Sequence, residues 1–152
     1  MTFKRWLYRG GRPNTLAKLL NRGWASLHAT GILPASFVTL EVVGRKSGNV
    51  ISFPLMLLTS NGARYLVSML GNEANWVQNV HAAGGNATLV HGRSERVRLI
   101  EVPVAERAPL LKAYLQIAPG ARPHIPVSKD APLAEFAAVA PSYPVFHVEQ
   151  VL

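Results

Sequence analysis

The chain has 152 residues, a formal net charge of +8 and no cysteine. The length suits one folded domain with a terminal arm, and the missing cysteines exclude disulfide frameworks, thiolate nucleophiles and cysteine-ligated metal sites. No apolar run approaches the roughly 20 residues that cross a bilayer, and the basic N-terminus lacks a secretory apolar region, so we expect a cytoplasmic protein. The positive charge favours an anionic partner, whether nucleic acid, acidic lipid or a phosphate-bearing small molecule.

The first segment combines positive charge with aromatic side chains. Residues 1–13 hold three aromatic residues among four lysines and arginines. Asn14 is a good N-cap, and leucines at helical spacing follow it until Gly31 and Pro34. We therefore expect a basic arm and an amphipathic helix over residues 1–34, and the folded domain over residues 35–152. Such a segment suits an anionic membrane surface, which would place the protein at the inner face of the plasma membrane.

The middle of the chain predicts three strands joined by tight turns. The segments rich in β-branched and aromatic residues are Phe37–Val43, Ile51–Leu58 and Arg64–Leu70. Gly44–Gly48 forms the first turn and Asn61-Gly62 the second. Pro54 marks the second segment as an edge strand or a bulge. Because tight turns join the segments, we expect antiparallel pairing.

Helices and strands alternate in the second half. The predicted helices are Glu73–Ala83 with Asn72 as its N-cap, Val104–Gln116, and Leu133–Val139. The predicted strands are Ala87–Val90, Glu95–Val102 and Tyr143–Val151. A proline-rich loop, Ala118–Pro132, separates the last two helices. The whole pattern predicts an α+β fold, a small β-barrel of about six mostly antiparallel strands with flanking helices.

The turn Gly44–Gly48 is the strongest candidate for chemistry. Two glycines bracket Arg45, Lys46 and Ser47 between two strands. Such a turn offers accessible backbone N–H groups and side-chain charge, which together bind phosphate. It is not a Walker loop, because the spacing differs and no helix follows. A solvated basic hairpin turn is the alternative interpretation.

The predicted helix after Asn72 offers a second constellation. Asn75 and Asn79 lie four residues apart on one face, and Trp76 could either wall a ring-binding pocket or belong to the core. The five histidines lie scattered without ligand spacing, so no metal site is expected. Of these, His124 is the most interesting because prolines flank it in the PGARPHIP loop.

A family resemblance rests on several of these motifs together. The GRKSG turn, the following PL pair and the WxxN helix (Trp76 to Asn79) resemble the deazaflavin-dependent nitroreductase family, and the text from Glu106 onward looks like its nitroreductase/quinone reductase-like subgroup. The resemblance implies a split β-barrel that binds the deazaflavin coenzyme F420. It also implies a reductase that uses the reduced coenzyme to deliver hydride to a quinone, an activated alkene or a nitro compound.

The resemblance also implies a set of site residues. The phosphate and acidic tail of the coenzyme would be held by Arg45, Lys46, Ser47 and Gly48. Its ring would lie along Ile51, Ser52, Phe53, Pro54, Leu55 and Met56. The pocket would be closed by Ser68, Met69, Leu70, Gly71, Asn75, Trp76 and Asn79. Ser68, Tyr114 and His124 are candidate proton donors between which the sequence does not choose. The tyrosine-rich C-terminal pocket wall of the family is replaced here by the proline-rich loop around His124.

Two rival functions remain open at this point. The same barrel could bind FMN and act as an ordinary flavin reductase. Alternatively, the chain could be a non-catalytic basic module on a membrane surface. Nucleic-acid binding is not expected, because no helix-turn-helix, OB-fold or RRM signature accompanies the charge. The sequence leaves the oligomeric state open.

Overall fold

Seven antiparallel strands form one curled sheet in residues 37–151, the part of the chain that the computed structural model describes. In chain order the strands are β1 (Phe37–Val43), β2 (Val50–Met56), β3 (Leu58–Ser60), β4 (Ala63–Val67), β5 (Asn86–His91), β6 (Arg93–Glu101) and β7 (Val145–Gln150). Their order across the sheet is β2-β1-β5-β6-β7-β4-β3. The predicted basic arm, the predicted first helix and the predicted boundary between residues 34 and 35 lie outside the described residues.

The curl of the sheet follows from the position of its two edges. β2 and β3 are the outermost strands, yet only Leu57 separates them in sequence. Edges this close along the chain cannot lie at opposite ends of a flat sheet, so the sheet bends into a half-barrel and β2 also contacts β4. The inner face buries one side of each strand, with Leu40 and Leu66 fully buried and Phe53 nearly so.

Within residues 37–151, three α-helices cover the two faces of the sheet. They are α1 (Asn75–Ala82), α2 (Ala108–Ile117) and α3 (Leu133–Val139). Val77 and Val80 of α1 pack into the inner core between the strands. α2 and α3 pack against each other and against the outer face, where they share a second core with Leu58, Val67 and Val145. The sheet therefore lies between α1 on its inside and the α2–α3 pair on its outside.

The predicted α+β class is confirmed, and residues 37–151 contain seven strands where about six were expected. The additional strand arises because the predicted strand Ile51–Leu58 is two strands, and the chain changes from one sheet edge to the other at Leu57. The second predicted turn is also confirmed, since Asn61 and Gly62 both have positive φ, 51° and 78°, as a two-residue hairpin turn requires. No helix within residues 37–151 is long and apolar enough to span a membrane.

The predicted N-cap of the helix after β4 is wrong. α1 begins at Asn75, and Ala74 occupies the N-cap position without a side-chain hydrogen bond. Asn72 instead donates its side-chain amide to the carbonyl oxygen of Pro141 at 3.1 Å. The Asn72 side chain, which local spacing predicted to cap the helix, therefore bonds to a segment that is distant in sequence.

A buried arginine ties the α2–α3 pair to the sheet. Arg107 is 4% exposed and donates from Nε to the carbonyl of Val102 at 2.8 Å and from one terminal nitrogen to the carbonyl of Ala140 at 3.0 Å. Its other terminal nitrogen contacts the Glu101 carboxylate at 2.9 Å. These bonds fix the end of β6, the start of α2 and the end of α3 relative to one another, and the chain leaving α3 goes on to form part of the site described below.

Trp76 belongs to the core, which is the second of the two interpretations that the sequence left open. Its side chain is 2% exposed and lies among inner-face residues. Its ring packs on Phe146 of β7 with centroids 5.6 Å apart and planes at 57°. The inner face of α1 turns Trp76 towards the sheet, so its side chain packs in the core, and its part in closing a coenzyme pocket stays a prediction.

Replacing Trp76 with alanine should lower the free energy of unfolding by about 3–5 kcal/mol, the range for removing a large buried aromatic side chain. Trp76→Phe, which keeps a ring against Phe146, should cost clearly less. Urea unfolding monitored by circular dichroism measures both values. A cost below about 1 kcal/mol for Trp76→Ala would show that this side chain does not support the core.

Candidate functional site

The cationic turn, residues 44–48, is closed by its own hydrogen bonds. The Gly44 N–H donates to the carbonyl of Asn49 at 2.8 Å, and the Gly48 N–H donates to the carbonyl of Gly44 at 2.9 Å. Ser47 Oγ accepts from the Asn49 N–H at 3.1 Å. Gly48 has a φ of +74°, a conformation that favours glycine. The turn is thus a defined loop and does not depend on a ligand for its shape.

Two backbone donors of the cationic turn are not used within this loop. Across residues 37–151, no hydrogen bond engages the N–H groups of Lys46 or Ser47. Both residues are exposed, and the Lys46 side chain carries a positive charge. Adjacent backbone N–H groups beside a cation form an anion-binding concavity. The turn therefore has the donors that a phosphate group needs.

The third charged group of the turn, Arg45, is held by α1. Its backbone N–H and one terminal guanidinium nitrogen both donate to Asn79 Oδ1, at 3.1 and 2.8 Å. Its other terminal nitrogen lies 3.4 Å from Asn75 Oδ1. The two asparagines that the sequence placed on one helical face therefore meet the predicted phosphate-binding turn, and the contact between these motifs is a finding of the structure alone.

A cleft of about 470 Å³ lies beside the start of α1. One wall comes from the chain between β4 and α1, and the other comes from the proline-rich loop and the end of the α3 region. The cleft is lined by Met69, Leu70, Gly71, Asn72, Glu73, Pro123, His124, Ser142 and Tyr143. Three predicted pocket residues, Met69 to Gly71, and the candidate proton donor His124 therefore come together here.

The two walls of the cleft are held close together. Gly71 has a φ of +90°, and a Cβ there would lie 3.2 Å from the carbonyl oxygen of Ser142, so glycine fits this approach. The Asn72 side chain bonds to the carbonyl of Pro141 across the same gap. Tyr143 donates its hydroxyl to the carbonyl of His124 at 2.7 Å. These contacts make the cleft a pre-formed feature of the fold.

α2 fixes the loop that carries His124. Lys112 Nζ donates to the carbonyl of Ala131 at 2.8 Å, and the Gln116 side chain donates to the carbonyl of Lys129 at 2.7 Å. Arg122 Nε donates to the carbonyl of Leu115 at 3.0 Å. The loop is long and rich in proline, but three side-chain bonds to backbone carbonyls hold it against the helix.

The candidate proton donors separate clearly in the structure. Ser68 is 1% exposed, and its hydroxyl donates to the carbonyl of Gly71 at 2.7 Å. Tyr114 is buried in the second core on α2 and does not line the cleft. His124 is half-buried and does line it. Of the three, only His124 lines the cleft.

The residues of β2 divide between the two faces of the sheet. Phe53 and Leu55 are buried in the inner core, and Ile51 packs against it, so their side chains do not form an exposed ring-binding wall. Ser52, Pro54 and Met56 are half-buried and alternate with them on the outer face. β2 pairs with β1 on one side, and no strand within residues 37–151 pairs with its other side. Pro54 lies on this edge strand, as its missing N–H predicts.

Sequence reasoning missed part of the cleft. Asn72 and Glu73 were interpreted as helix residues and Tyr143 as the start of a strand, whereas all three line the cleft. The proline-rich loop around His124 does form part of this wall, and Tyr143 lies in the wall beside it. The position of Asn72 and Glu73 directly after the predicted pocket residue Gly71 could have indicated that they line the cleft. Nothing in the sequence, in contrast, pairs Tyr143 with His124.

Comparison with known proteins gives the chain a family context. The sequence matches the family model described as F420H(2)-dependent quinone reductase over residues 25–130. A solved F420-H2 dependent reductase is similar, with a TM-score of 0.53, 23% identity and coverage of 75% of this chain and 94% of that chain. No curated protein matches the sequence.

Two further solved structures are similar. One is described as a domain-swapped dimer, with a TM-score of 0.54, 20% identity and coverage of 89% of this chain and all of that chain. The other is a protein of unknown function from Agrobacterium tumefaciens, with a TM-score of 0.54, 10% identity and coverage of 76% of this chain and 48% of that chain. These similarities show a common fold, and the reductase structure identifies it as the expected split β-barrel.

Tyr143 provides a pH-dependent test of the cleft. Burial raises the pKa of Tyr143 above its ordinary value of 10.0, so the folded protein resists loss of this proton. Its contribution to stability is complete below pH 10 and is lost as the pH rises through the folded pKa, because the unfolded chain ionises first. Urea unfolding between pH 8 and 11 should show a steeper loss of stability in the wild type than in Tyr143→Phe.

Tyr143→Phe should also lower the free energy of unfolding at pH 7 by about 0.5–1.5 kcal/mol, because it removes the hydrogen bond to the His124 carbonyl. Tyr65→Phe is a matched control, because Tyr65 packs beside His147 on the outer face and does not line the cleft. If the free energy of unfolding of the wild type and of Tyr143→Phe changes identically with pH, the raised pKa of Tyr143 in the folded protein is contradicted.

Proposed function

The chain belongs to the F420H(2)-dependent quinone reductase family, and from this premise we propose that the cationic turn binds the anionic part of the coenzyme while the cleft binds a quinone. Membership of the family makes the protein an F420-dependent oxidoreductase. The finer assignment, which residue contacts which part of each ligand, is the proposal developed below.

The proposal depends on one observation, the proximity of the cationic turn to the cleft. Arg45 contacts Asn75 and Asn79 at the start and the middle of α1. Glu73, only two residues before Asn75, lines the cleft. A site for negative charge and a site for a small organic molecule therefore adjoin the same short helix, which is the arrangement that a coenzyme with a charged tail beside its substrate requires.

The residues present fit such a coenzyme. The two available N–H groups of Lys46 and Ser47, together with the Lys46 ammonium group, match the acceptor oxygens of a phosphodiester. The net charge of +8 favours a ligand that also carries several carboxylates. The comparisons support F420 as the coenzyme and give no support to FMN as an alternative.

The bound coenzyme supplies the hydride. The protein supplies orientation and a partly enclosed cleft with apolar surface from Met69, Leu70 and Pro123. Reduction of a quinone also requires a proton, and we assign His124 as the group that delivers it, because its imidazole is half-buried in the cleft wall. The Ser68 hydroxyl is already bonded to Gly71, and Tyr114 lies in the core, so neither is positioned for this role.

Activated alkenes and nitro compounds remain candidate acceptors beside quinones. The cleft of about 470 Å³ lies within the size range of small-molecule sites. Glu73 in its wall adds negative charge, which favours neutral acceptors over anionic ones. A quinone, an enone or a nitroarene without an acidic group meets this condition.

The test is turnover of F420H2 with menadione, followed by the absorbance of the coenzyme. Wild-type protein should oxidise F420H2 and should bind F420 in preference to FMN. Lys46→Ala should raise the Kd for F420 by roughly ten- to a hundredfold, the value of one charge-assisted hydrogen bond. Arg96→Ala removes the same charge from an exposed position on β6 and should leave the Kd nearly unchanged.

Equal weakening by Lys46→Ala and Arg96→Ala would show that only the overall charge matters and would contradict a defined site at the cationic turn. Binding of F420 without turnover of any quinone, enone or nitroarene would make the protein a coenzyme carrier and overturn the proposed reaction.

We propose in addition that the basic arm meets anionic membranes, where lipid quinones are found. The support is the sequence of residues 1–13, which combines four cations with three aromatic side chains. Removal of these residues should abolish association with vesicles containing phosphatidylglycerol at low salt and should leave the Kd for F420 unchanged. Failure of the full-length protein to bind such vesicles would contradict the membrane assignment and leave the reductase proposal intact.

A further inference from the structure

Asn79 is an unusual residue for the inner side of α1. Asn79 is 2% exposed, and the other buried residues of α1 are the apolar Trp76, Val77 and Val80. A buried amide is costly unless its hydrogen bonds are made. Asn79 Oδ1 accepts two hydrogen bonds from a single residue, Arg45, from its backbone N–H at 3.1 Å and from a guanidinium nitrogen at 2.8 Å. Asn79 thus fixes both the main chain and the side chain of Arg45.

The cationic turn does not need this contact in order to form. Its own bonds, Gly44 to Asn49 and Gly48 to Gly44, already close the loop. The bonds to Asn79 orient the turn relative to α1, because they attach Arg45 to this helix. The next two N–H groups, those of Lys46 and Ser47, are the available donors, so their directions follow from how Arg45 is held.

The position of the guanidinium group supports the same view. Both of its terminal nitrogens face α1, one on Asn79 and the other 3.4 Å from Asn75 Oδ1. A guanidinium group held in this way has fewer donors left for a ligand than the ammonium group of Lys46 beside it. Arg45 is therefore arranged as a brace between the turn and the helix.

We propose that Asn79 is a positioning residue for the coenzyme, acting through Arg45, while Lys46 and the N–H groups of Lys46 and Ser47 make the direct contacts with its anionic part. This inference rests on the proposed function. It assigns to Arg45 a bracing role in place of the direct phosphate contact expected from the sequence.

A double-mutant cycle tests the inference. The Kd for oxidised F420, measured from its fluorescence, would be determined for the wild type, Asn79→Ala, Arg45→Ala and the double variant. Each single change should weaken binding by about tenfold. Because the two residues act as one unit, the Kd of the double variant should exceed that of the single variant with the higher Kd by no more than about twofold.

Two further variants separate positioning from stability. Asn79→Asp keeps an oxygen that can accept both bonds from Arg45, so its Kd should stay within about threefold of the wild type. Asn86→Ala removes another asparagine near α1, one whose side-chain amide donates to the carbonyl of Ala83, and this variant should bind F420 like the wild type. Thermal unfolding of each apo variant shows whether the fold persists, and if Asn79→Ala does not fold, Arg45→Ala and Asn79→Asp alone carry the comparison.

Steady-state kinetics separate a positioning role of Asn79 from a purely structural one. Asn79→Ala should raise the KM for F420H2 about tenfold and leave kcat with saturating menadione unchanged, because the brace acts on coenzyme binding and not on the cleft. Arg45→Ala weakening binding far more than Asn79→Ala would make Arg45 a direct ligand, and wild-type affinity in Asn79→Ala would remove any role for this residue. Either result overturns the inference, whereas failure of wild-type protein to bind F420 would instead contradict the proposed function.

Discussion

The structure depends on one constraint, the short passage from one edge of the sheet to the other. Because Leu57 alone separates the edge strands β2 and β3, the seven-stranded sheet has to curl. The curl creates an inner face that one short helix fills, with Trp76 packed on Phe146. With α1 fixed in this way, the cationic turn contacts Asn75 and Asn79 of this helix, and the cleft lies beside its start. The position of the site therefore follows from the shape of the sheet.

Three buried polar residues connect this core to the site. Within residues 37–151 the buried polar or charged side chains are Ser68, Asn79 and Arg107. Ser68 holds the turn that leads into the cleft, Asn79 holds the cationic turn, and Arg107 holds the ends of α2 and α3. Buried polar groups destabilise a fold unless they are paired. Each of these three side chains is paired, and its bonds hold a segment of the site or of its support in place.

The candidate site separates charge recognition from the reaction cleft. Positive charge and available N–H groups lie on the exposed turn, where the charged tail of a coenzyme can remain partly hydrated. The cleft, by contrast, combines the apolar side chains of Met69, Leu70 and Pro123 with polar residues that include His124 and Tyr143, and burial raises the pKa of Tyr143. This separation suits a reaction in which the protein contributes orientation and a proton.

The sequence by itself determined the features that depend on neighbouring residues. The GRKSG and Asn61-Gly62 turns, the antiparallel strands around them and the α+β class follow from local patterns, because turn geometry and side-chain alternation are set within a few residues. The family was indicated by the resemblance of its combined motifs and is shown by the match to the family model. The tertiary structure decided the rest. It placed Trp76 in the core, joined Arg45 to Asn79 across 34 positions of sequence, and brought Tyr143 to His124. It also drew Asn72 away from the helix that local spacing assigned to it. Such contacts depend on how a curled sheet brings distant segments together, and no local pattern in one sequence contains that information.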